Sequence, residues 1–156
     1  MSDSNDAAAS AEPGFDVDVF LAQPLIARIA TTGPTIRPVW FLWEDGSFWW
    51  LTGSYSRMAE FLERDPQVVL VVDTCDVATG TVRVVWARGV AEVVPLDRER
   101  AVRKLSRYLG PDEAEWDGRF REALDEDPST RLVRLTPTVL RAWDRSFRPS
   151  QAAAGP

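Results

Sequence analysis

The chain has 156 residues, of which 45% are hydrophobic and 27% are charged, a composition typical of one ordinary globular domain. It has no histidine and a single cysteine, Cys75, which excludes Ser-His-Asp and Cys-His catalytic sites, histidine-based zinc sites and an internal disulfide. The net charge of −6 argues against nucleic acid as a partner, and the absence of a signal-peptide pattern or a long apolar run predicts a cytoplasmic protein that does not bind membranes.

Both ends of the chain differ in composition from the rest. Residues 1–14 contain three acidic groups, no basic group and no apolar periodicity, which predicts a disordered leader. Residues 148–156 are mostly small or polar and predict a disordered tail. We therefore expect one folded domain over residues 15–147.

The sequence of the first part of this domain predicts a short helix followed by strands. Asp16 is a suitable N-cap for the helix, and the alternating, β-branched run at 25–32 predicts a strand. Two further strands are predicted at 36–43 and 47–52, because the Asp45-Gly46 pair between two apolar runs is typical of a β-hairpin.

The middle of the chain predicts a helix and two strands. A helix over 54–64 has Ser56 as its N-cap and ends before Pro66. The continuous apolar run at 68–72 predicts a buried strand, and a long strand is predicted over 81–94.

The last part predicts two helices and a strand. Asp97 caps a helix that ends at Gly110, and the spacing of Trp116, Phe120 and Leu124 predicts another helix over 113–125. A final strand over 131–143 is interrupted by a proline. The order α-β-β-β-α-β-β-α-α-β lacks the alternation of a parallel sheet, so we expect a mainly β (α+β) fold with six or seven antiparallel strands in a barrel and peripheral helices.

The predicted hairpin is apolar on both faces. Val39, Phe41 and Trp43 lie on one face, whereas Trp40 and Leu42 lie on the other. One face can fill a barrel, and the other must be covered, since so large an apolar patch is rarely left in water. A second subunit, a planar cofactor or both could cover it, and the alternative is a helix of the same chain.

The turn after the hairpin combines hydroxyl groups, a glycine and an arginine ahead of a helix. Its Thr52, Ser54, Ser56 and Arg57 could bind a phosphate, because hydroxyl and free N–H groups donate to anions and a guanidinium adds a bidentate partner. The alternative is that Ser56 only caps its helix and Arg57 is solvated.

Five segments in serial order resemble the pyridoxamine 5′-phosphate oxidase-like split β-barrel family, and more narrowly its actinobacterial flavin- and deazaflavin-dependent oxidoreductases. They are PLIARIATTG, IRPVWFLWEDGSFWWLT, SRMAEFLERDPQVVLVVD, VRVVWARGVAEVV and RLVRLTPTVLRAWD. The resemblance implies a homodimer with two sites at the subunit interface for FMN or the deazaflavin coenzyme F420. It also implies which residues bind that cofactor: Arg37, Pro38, Val39 and Trp40 beside the ring, Thr52, Ser54, Ser56, Arg57 and Met58 at the phosphate, and Trp86, Arg88 and Trp143 lining the site or the interface.

One position departs from the family pattern. Many members carry a lysine two residues after the serine of the phosphate turn, where this chain has Met58. Loss of a cation weakens phosphate binding unless Arg57 replaces it.

Two classes of function are compatible with these features. The first is an oxidoreductase that transfers a hydride between the cofactor and a planar, apolar small molecule, with the redox chemistry residing in the cofactor. The second is a non-catalytic carrier of a flavin, a deazaflavin or another apolar ligand. The sequence identifies no catalytic side chain and no metal site, and without histidine it gives no ligand for a His-bound haem.

Overall fold

The computed structural model describes residues 12–150, so most of the predicted leader and tail lies outside the described residues. Within this part of the chain, eight antiparallel strands form one curled sheet. Their bounds are β1 (Ile26–Thr31), β2 (Thr35–Trp40), β3 (Leu42–Glu44), β4 (Ser47–Thr52), β5 (Gln67–Asp76), β6 (Thr81–Pro95), β7 (Arg131–Leu135) and β8 (Val139–Asp144).

The strand order is β2-β1-β5-β6-β7-β4-β3, and β8 pairs with β6. The 15-residue strand β6 joins the two parts of the sheet, because its first half pairs with β5 and β8 and its second half with β7. This arrangement confirms the predicted split β-barrel, with one strand more than expected.

Four α-helices lie around the barrel in the described part of the chain: α1 (Val17–Leu21), α2 (Met58–Arg64), α3 (Arg98–Leu109) and α4 (Gly118–Asp125). The predicted caps of α1 and α3 are confirmed, since the Asp16 and Asp97 side chains accept backbone N–H groups. The N-cap of α2 is Arg57 rather than Ser56, but the Ser56 hydroxyl still accepts from the Met58 N–H at 3.1 Å. No helix in residues 12–150 is long and apolar enough to cross a membrane.

Three predicted elements are each divided in two. The strand over 36–43 breaks at Phe41, whose backbone N–H and carbonyl both bond to the hydroxyl of Tyr108 at 3.0 Å. The strand over 131–143 divides around Pro137, because proline has no N–H to donate to a sheet. The helix over 113–125 becomes a 3₁₀ turn, Glu113–Glu115, followed by α4, which starts after Asp117.

The core consists of a large cluster inside the barrel and a smaller one under α3 and α4. Phe41, Trp50 and Leu70 are at most 1% exposed in the barrel cluster. Ala101 and Leu105 of α3 pack with α4 over the outer side of the hairpin. The two clusters therefore use opposite faces of the same aromatic strands.

The second face of the hairpin is covered by the chain's own helices. Trp40 stacks on Tyr108 at 4.6 Å between ring centroids and on Phe120 at 5.6 Å. Trp49 is 6% exposed, with the Arg100 guanidinium 3.9 Å from its ring centroid. The expectation that a subunit or cofactor covers this face is wrong, because the apolar stripe of α3 supplies the contact.

A different apolar surface remains open. The outward side chains of β5 and β6, among them Val69, Val71 and Trp86, are only partly buried. Ile36 of β2, the strand beyond β1, projects from the same side of the sheet and is 69% exposed. We call the outward side of β2, β1, β5, β6 and β8 the outer sheet face.

Candidate functional site

The strand β2 carries an arginine without an acidic partner. Arg37 lies opposite Ile29, on the side of the strand that faces the barrel interior. Its Nη1 donates to the Ser56 hydroxyl at 3.3 Å, and its guanidinium lies 5.2 Å from the ring centroid of Phe61. Within the described chain no carboxylate lies within 4 Å of this guanidinium, so its charge is available to an anion.

A second arginine lies beside the same ring. The Arg57 guanidinium is 5.7 Å from the Phe61 centroid, and we call Arg37 and Arg57 the arginine pair. Arg57 also forms a 2.9 Å ion pair with Glu60, and its side chain is 66% exposed. Because exposed ion pairs contribute little, an incoming phosphate can displace Glu60 at small cost.

The loop between β4 and α2 is held in place mainly through its backbone. The Ser56 N–H donates to the Gly53 carbonyl at 3.0 Å, and the Ser54 N–H donates to the Ser129 hydroxyl at 2.9 Å. A Cβ at position 53 would lie 2.9 Å from the ring of Tyr55, so any larger residue there would push this exposed ring aside. The loop is therefore fixed before any ligand binds.

Two further groups bear on the polarity of this loop. Hydrogen bonds from the Ser129 hydroxyl and N–H hold the pKa of Asp127 below its usual value, so this carboxylate is ionised and orients Ser129. The Thr52 hydroxyl is buried without a hydrogen-bond partner. An unpaired buried hydroxyl is costly, so it marks a position where a ligand atom or water would be stabilised.

Two of the predicted cofactor-binding side chains are used in packing. Met58 is 1% exposed and belongs to the barrel core, so only its N–H faces the loop, where it donates to Ser56. Trp40 is enclosed by the helices, whereas Val39 packs partly against the core and Pro38 is exposed.

The remaining predicted residues lie elsewhere. Trp86, Arg88 and Trp143 project from the outer sheet face, with the Arg88 guanidinium 5.9 Å from the Trp86 ring centroid. A groove of about 650 Å³ beside Arg88 is lined by residues of β1, β5 and β6. Strand β6 is three strands from β2, or about 14 Å, so one chain does not bring this group together with the arginine pair.

Sequence reasoning did not identify the role of Phe61. Its spacing of one helical turn from Arg57 could have suggested that the two side chains are neighbours. Its contact with Arg37 depends on how α2 packs on the barrel, and no local pattern carries that information. The hydroxyl of Tyr108, which organises the break at Phe41, was equally unpredictable because the two residues are 67 positions apart.

Comparison with known proteins supports the fold. The solved structure of the conserved hypothetical protein Rv2991 from Mycobacterium tuberculosis is 26% identical, with a TM-score of 0.70 and 88% of each chain covered. The solved structure of an F420 reductase is 20% identical, with a TM-score of 0.59 over 83% of this chain and 98% of the other. An FAD-binding protein from Mycobacterium smegmatis is 20% identical, with a TM-score of 0.57 over 83% of this chain and 92% of the other.

No curated protein matches the sequence significantly. The family profile described as pyridoxamine 5′-phosphate oxidase matches residues 16–144, which include every strand of the sheet. Since that match spans most of the chain and the barrel has the corresponding fold, the chain belongs to the pyridoxamine 5′-phosphate oxidase family.

Proposed function

We propose that this protein is a flavin- or deazaflavin-dependent oxidoreductase of the actinobacterial branch of its family. In this proposal it transfers a hydride between FMN or coenzyme F420 and a planar, apolar small molecule. Family membership and the resemblance to an F420 reductase and an FAD-binding protein support a flavin-related function. The observation that carries the proposal is the arginine pair, in which no carboxylate of residues 12–150 forms an ion pair with the Arg37 guanidinium.

The residues present fit a phosphate group, which both cofactors contain. Arg37 can donate two N–H groups in a fork, the geometry that matches phosphate oxygens. The Ser56 hydroxyl lies between this guanidinium and the start of α2, and the Thr52 hydroxyl lacks a partner. These groups would hold the phosphate, and Arg57 would contribute after leaving Glu60.

A bound flavin or deazaflavin supplies the hydride chemistry. The chain supplies position and a dry environment, with Pro38 and Val39 lining the ring and the helices over Trp40 excluding water behind it. Because the chain has no histidine, the accompanying proton comes from water. Lys104, whose pKa is about 7, lies against Trp40 and has no role in this proton transfer, so we expect a rate that changes little between about pH 6 and pH 8.

The proposed enzyme is a homodimer. Trp86 and Arg88 lie on a strand about 14 Å from β2 within one chain, and Trp143 lies one strand farther away, so a second copy is the means of bringing these side chains to the ring. The outer sheet face is apolar enough to form such an interface, since Val69, Val71 and Trp86 are only partly buried in one chain.

Stopped-flow oxidation of reduced F420 or reduced FMN by a panel of enones and quinones tests this function. We expect at least one panel member to be reduced faster than in the protein-free control. We expect Arg37→Met to need a higher cofactor concentration than the parent to reach half of its maximal rate. If the cofactor binds tightly but no acceptor accelerates its oxidation, the protein is a carrier. If neither cofactor binds, the proposal is wrong.

A further inference from the structure

The chain has one lysine, and its side chain is buried beside an aromatic ring. Lys104 lies on the apolar stripe of α3, the face of the helix that also carries Ala101, Leu105 and Tyr108. It is 4% exposed, and its Nζ lies 5.9 Å from the centroid of the Trp40 ring. Lysine is almost never so buried unless it is paired with an acid.

No acid is paired with this lysine. Among residues 12–150, no carboxylate lies within 4 Å of Lys104 Nζ. Glu44, which lies against α3, pairs with Arg100 and Arg103 instead. On α4, Arg119 is exposed and pairs with Asp117.

The neighbouring charge is positive. Arg107, one turn along α3, uses its two Nη atoms to donate to the carbonyls of Leu21, Gln23 and Phe41. Its Nε is buried without a hydrogen-bond partner. Burial, and secondarily repulsion by Arg107, lower the pKa of Lys104 to about 7, so a large share of the amine is neutral at neutral pH.

These features favour an anion at this position. An ammonium ion here is desolvated and repelled, whereas a negative group would pair with Arg107 and give its Nε a partner. A neutral, desolvated lysine next to another cation is also the form of this side chain that acts as a nucleophile.

We propose that Lys104 is a carbamylation site, at which its amine adds carbon dioxide to form an N-carboxylate that pairs with Arg107. The nitrogen lone pair forms the N–C bond, one C=O π pair moves onto oxygen, and the displaced N–H proton leaves to solvent. Nothing is oxidised or reduced. Carbon dioxide is the appropriate electrophile because it is small and uncharged, whereas a larger carbonyl compound would have to enter a site that is already buried beside the Trp40 ring.

Carbon-13 NMR of the full-length protein with ¹³C-labelled bicarbonate, near pH 7.5, tests this inference. The only other amine in the chain is the N-terminal α-amine, so we expect at most two carbamate resonances. Lys104→Met and Lys104→Gln should each remove one resonance and retain the other. Trapping by O-alkylation followed by peptide mass mapping should place the modification on Lys104 in the parent, which requires no variant.

A stability measurement provides an independent readout. At constant pH and ionic strength, bicarbonate should raise the unfolding midpoint of the parent but not of Lys104→Met, because only the parent has a site that binds carbon dioxide when folded. Absence of a Lys104-dependent resonance and of a trapped adduct would overturn the proposal, as would an equal midpoint shift in both proteins. These outcomes do not depend on the cofactor.

Discussion

At the residue scale, position 58 holds an apolar core residue where the family resemblance implies a charged one. The family resemblance implies a lysine at this position of the predicted phosphate turn, but here the Met58 side chain enters the barrel core at 1% exposure. The loop keeps its charge through Arg37, which approaches Ser56 from β2. The sequence pattern predicted a phosphate site at this turn, but it could not show that Arg37 contacts Ser56.

We expect Met58→Lys to destabilise the protein rather than to strengthen phosphate binding. The new ammonium would lie in an apolar core without a partner, and such changes typically cost about 3 kcal/mol or more. Urea denaturation checks this, with Met58→Leu as a volume-matched control expected to cost less than about 1.5 kcal/mol. Equal stability of Met58→Lys and parent would mean that residue 58 can reach solvent.

Lys104 gives a second prediction, about pH. Its pKa is about 7 in the folded protein against an ordinary value of 10.5, so between these values the unfolded chain binds more protons. Stability therefore rises with pH in this window, by at most about 1.4 kcal/mol per pH unit. Below the folded pKa the lysine is charged in both states and its burial penalty is fully present.

Lys104→Met should accordingly stabilise the protein near pH 7 by about 2–4 kcal/mol in buffer free of carbon dioxide. The advantage should shrink as the pH is raised toward 9.5, before ionisation of Tyr108, whose pKa is raised by burial, begins to matter. Chemical denaturation across this range measures the difference. A pH-independent advantage would show that Lys104 does not titrate in the folded protein near neutrality.

At the element scale, α3 is attached to the β3–β4 hairpin by charge as well as by apolar contact. The Glu44 carboxylate accepts from Arg100 Nε at 2.7 Å and from Arg103 Nε at 2.8 Å, and its side chain is only 24% exposed. Hydrogen bonding from Arg103 is the largest cause that lowers the pKa of Glu44 from 4.5. The contribution of this network is therefore present above that pH and is lost as the pH falls through the lower, folded value.

Glu44→Gln should reduce the free energy of unfolding by about 1–3 kcal/mol near pH 7, because two arginines lose a charged acceptor. The difference from the parent should disappear in acid, where the parent's carboxyl group is also neutral. Asp45→Asn is the matched control, since Asp45 is 77% exposed and lies 3.5 Å from Arg100. A difference that persists unchanged at low pH would assign the effect to packing instead of charge.

The accuracy of the predicted elements follows from how local their signals are. The Asp45-Gly46 turn and the aspartate caps depend on neighbouring residues, and both were confirmed. The break at Phe41 depends on Tyr108, so the sequence predicted one strand instead of two. The coverage of Trp40 by Tyr108 and Phe120 was also missed, because helical periodicity shows an apolar face but not its partner.

At the scale of the whole molecule, the predicted site falls into two groups. The predicted phosphate turn and Arg37 meet through Ser56, whereas Trp86, Arg88 and Trp143 lie on the outer sheet face. Side-chain alternation and strand order decide this separation, and strand order is a property of topology that one sequence does not reveal. A dimer remains a prediction, now carried by the outer sheet face instead of the hairpin.

Sedimentation at micromolar concentration should give about twice the 17.5 kDa of one chain. Val71→Asp should convert the dimer to monomer without loss of secondary structure, because the half-buried Val71 lies at the centre of the outer sheet face and a charge there opposes association. Val77→Asp, at an exposed position in the β5–β6 turn, is the control that should leave the dimer intact. A parent that sediments as a monomer would contradict the proposed interface.

The central claim is that a phosphorylated flavin or deazaflavin binds at the arginine pair, and a titration followed by tryptophan fluorescence tests it most directly. FMN and riboflavin differ only in the phosphate, so each is titrated into the parent and into Arg37→Met, with F420 as a third ligand. We predict that the parent binds FMN or F420 at least about tenfold more tightly than riboflavin, the value of one charge-assisted hydrogen bond or more. We further predict that Arg37→Met removes this preference. Equal binding of FMN and riboflavin to the parent, or no binding of FMN or F420, would contradict the account.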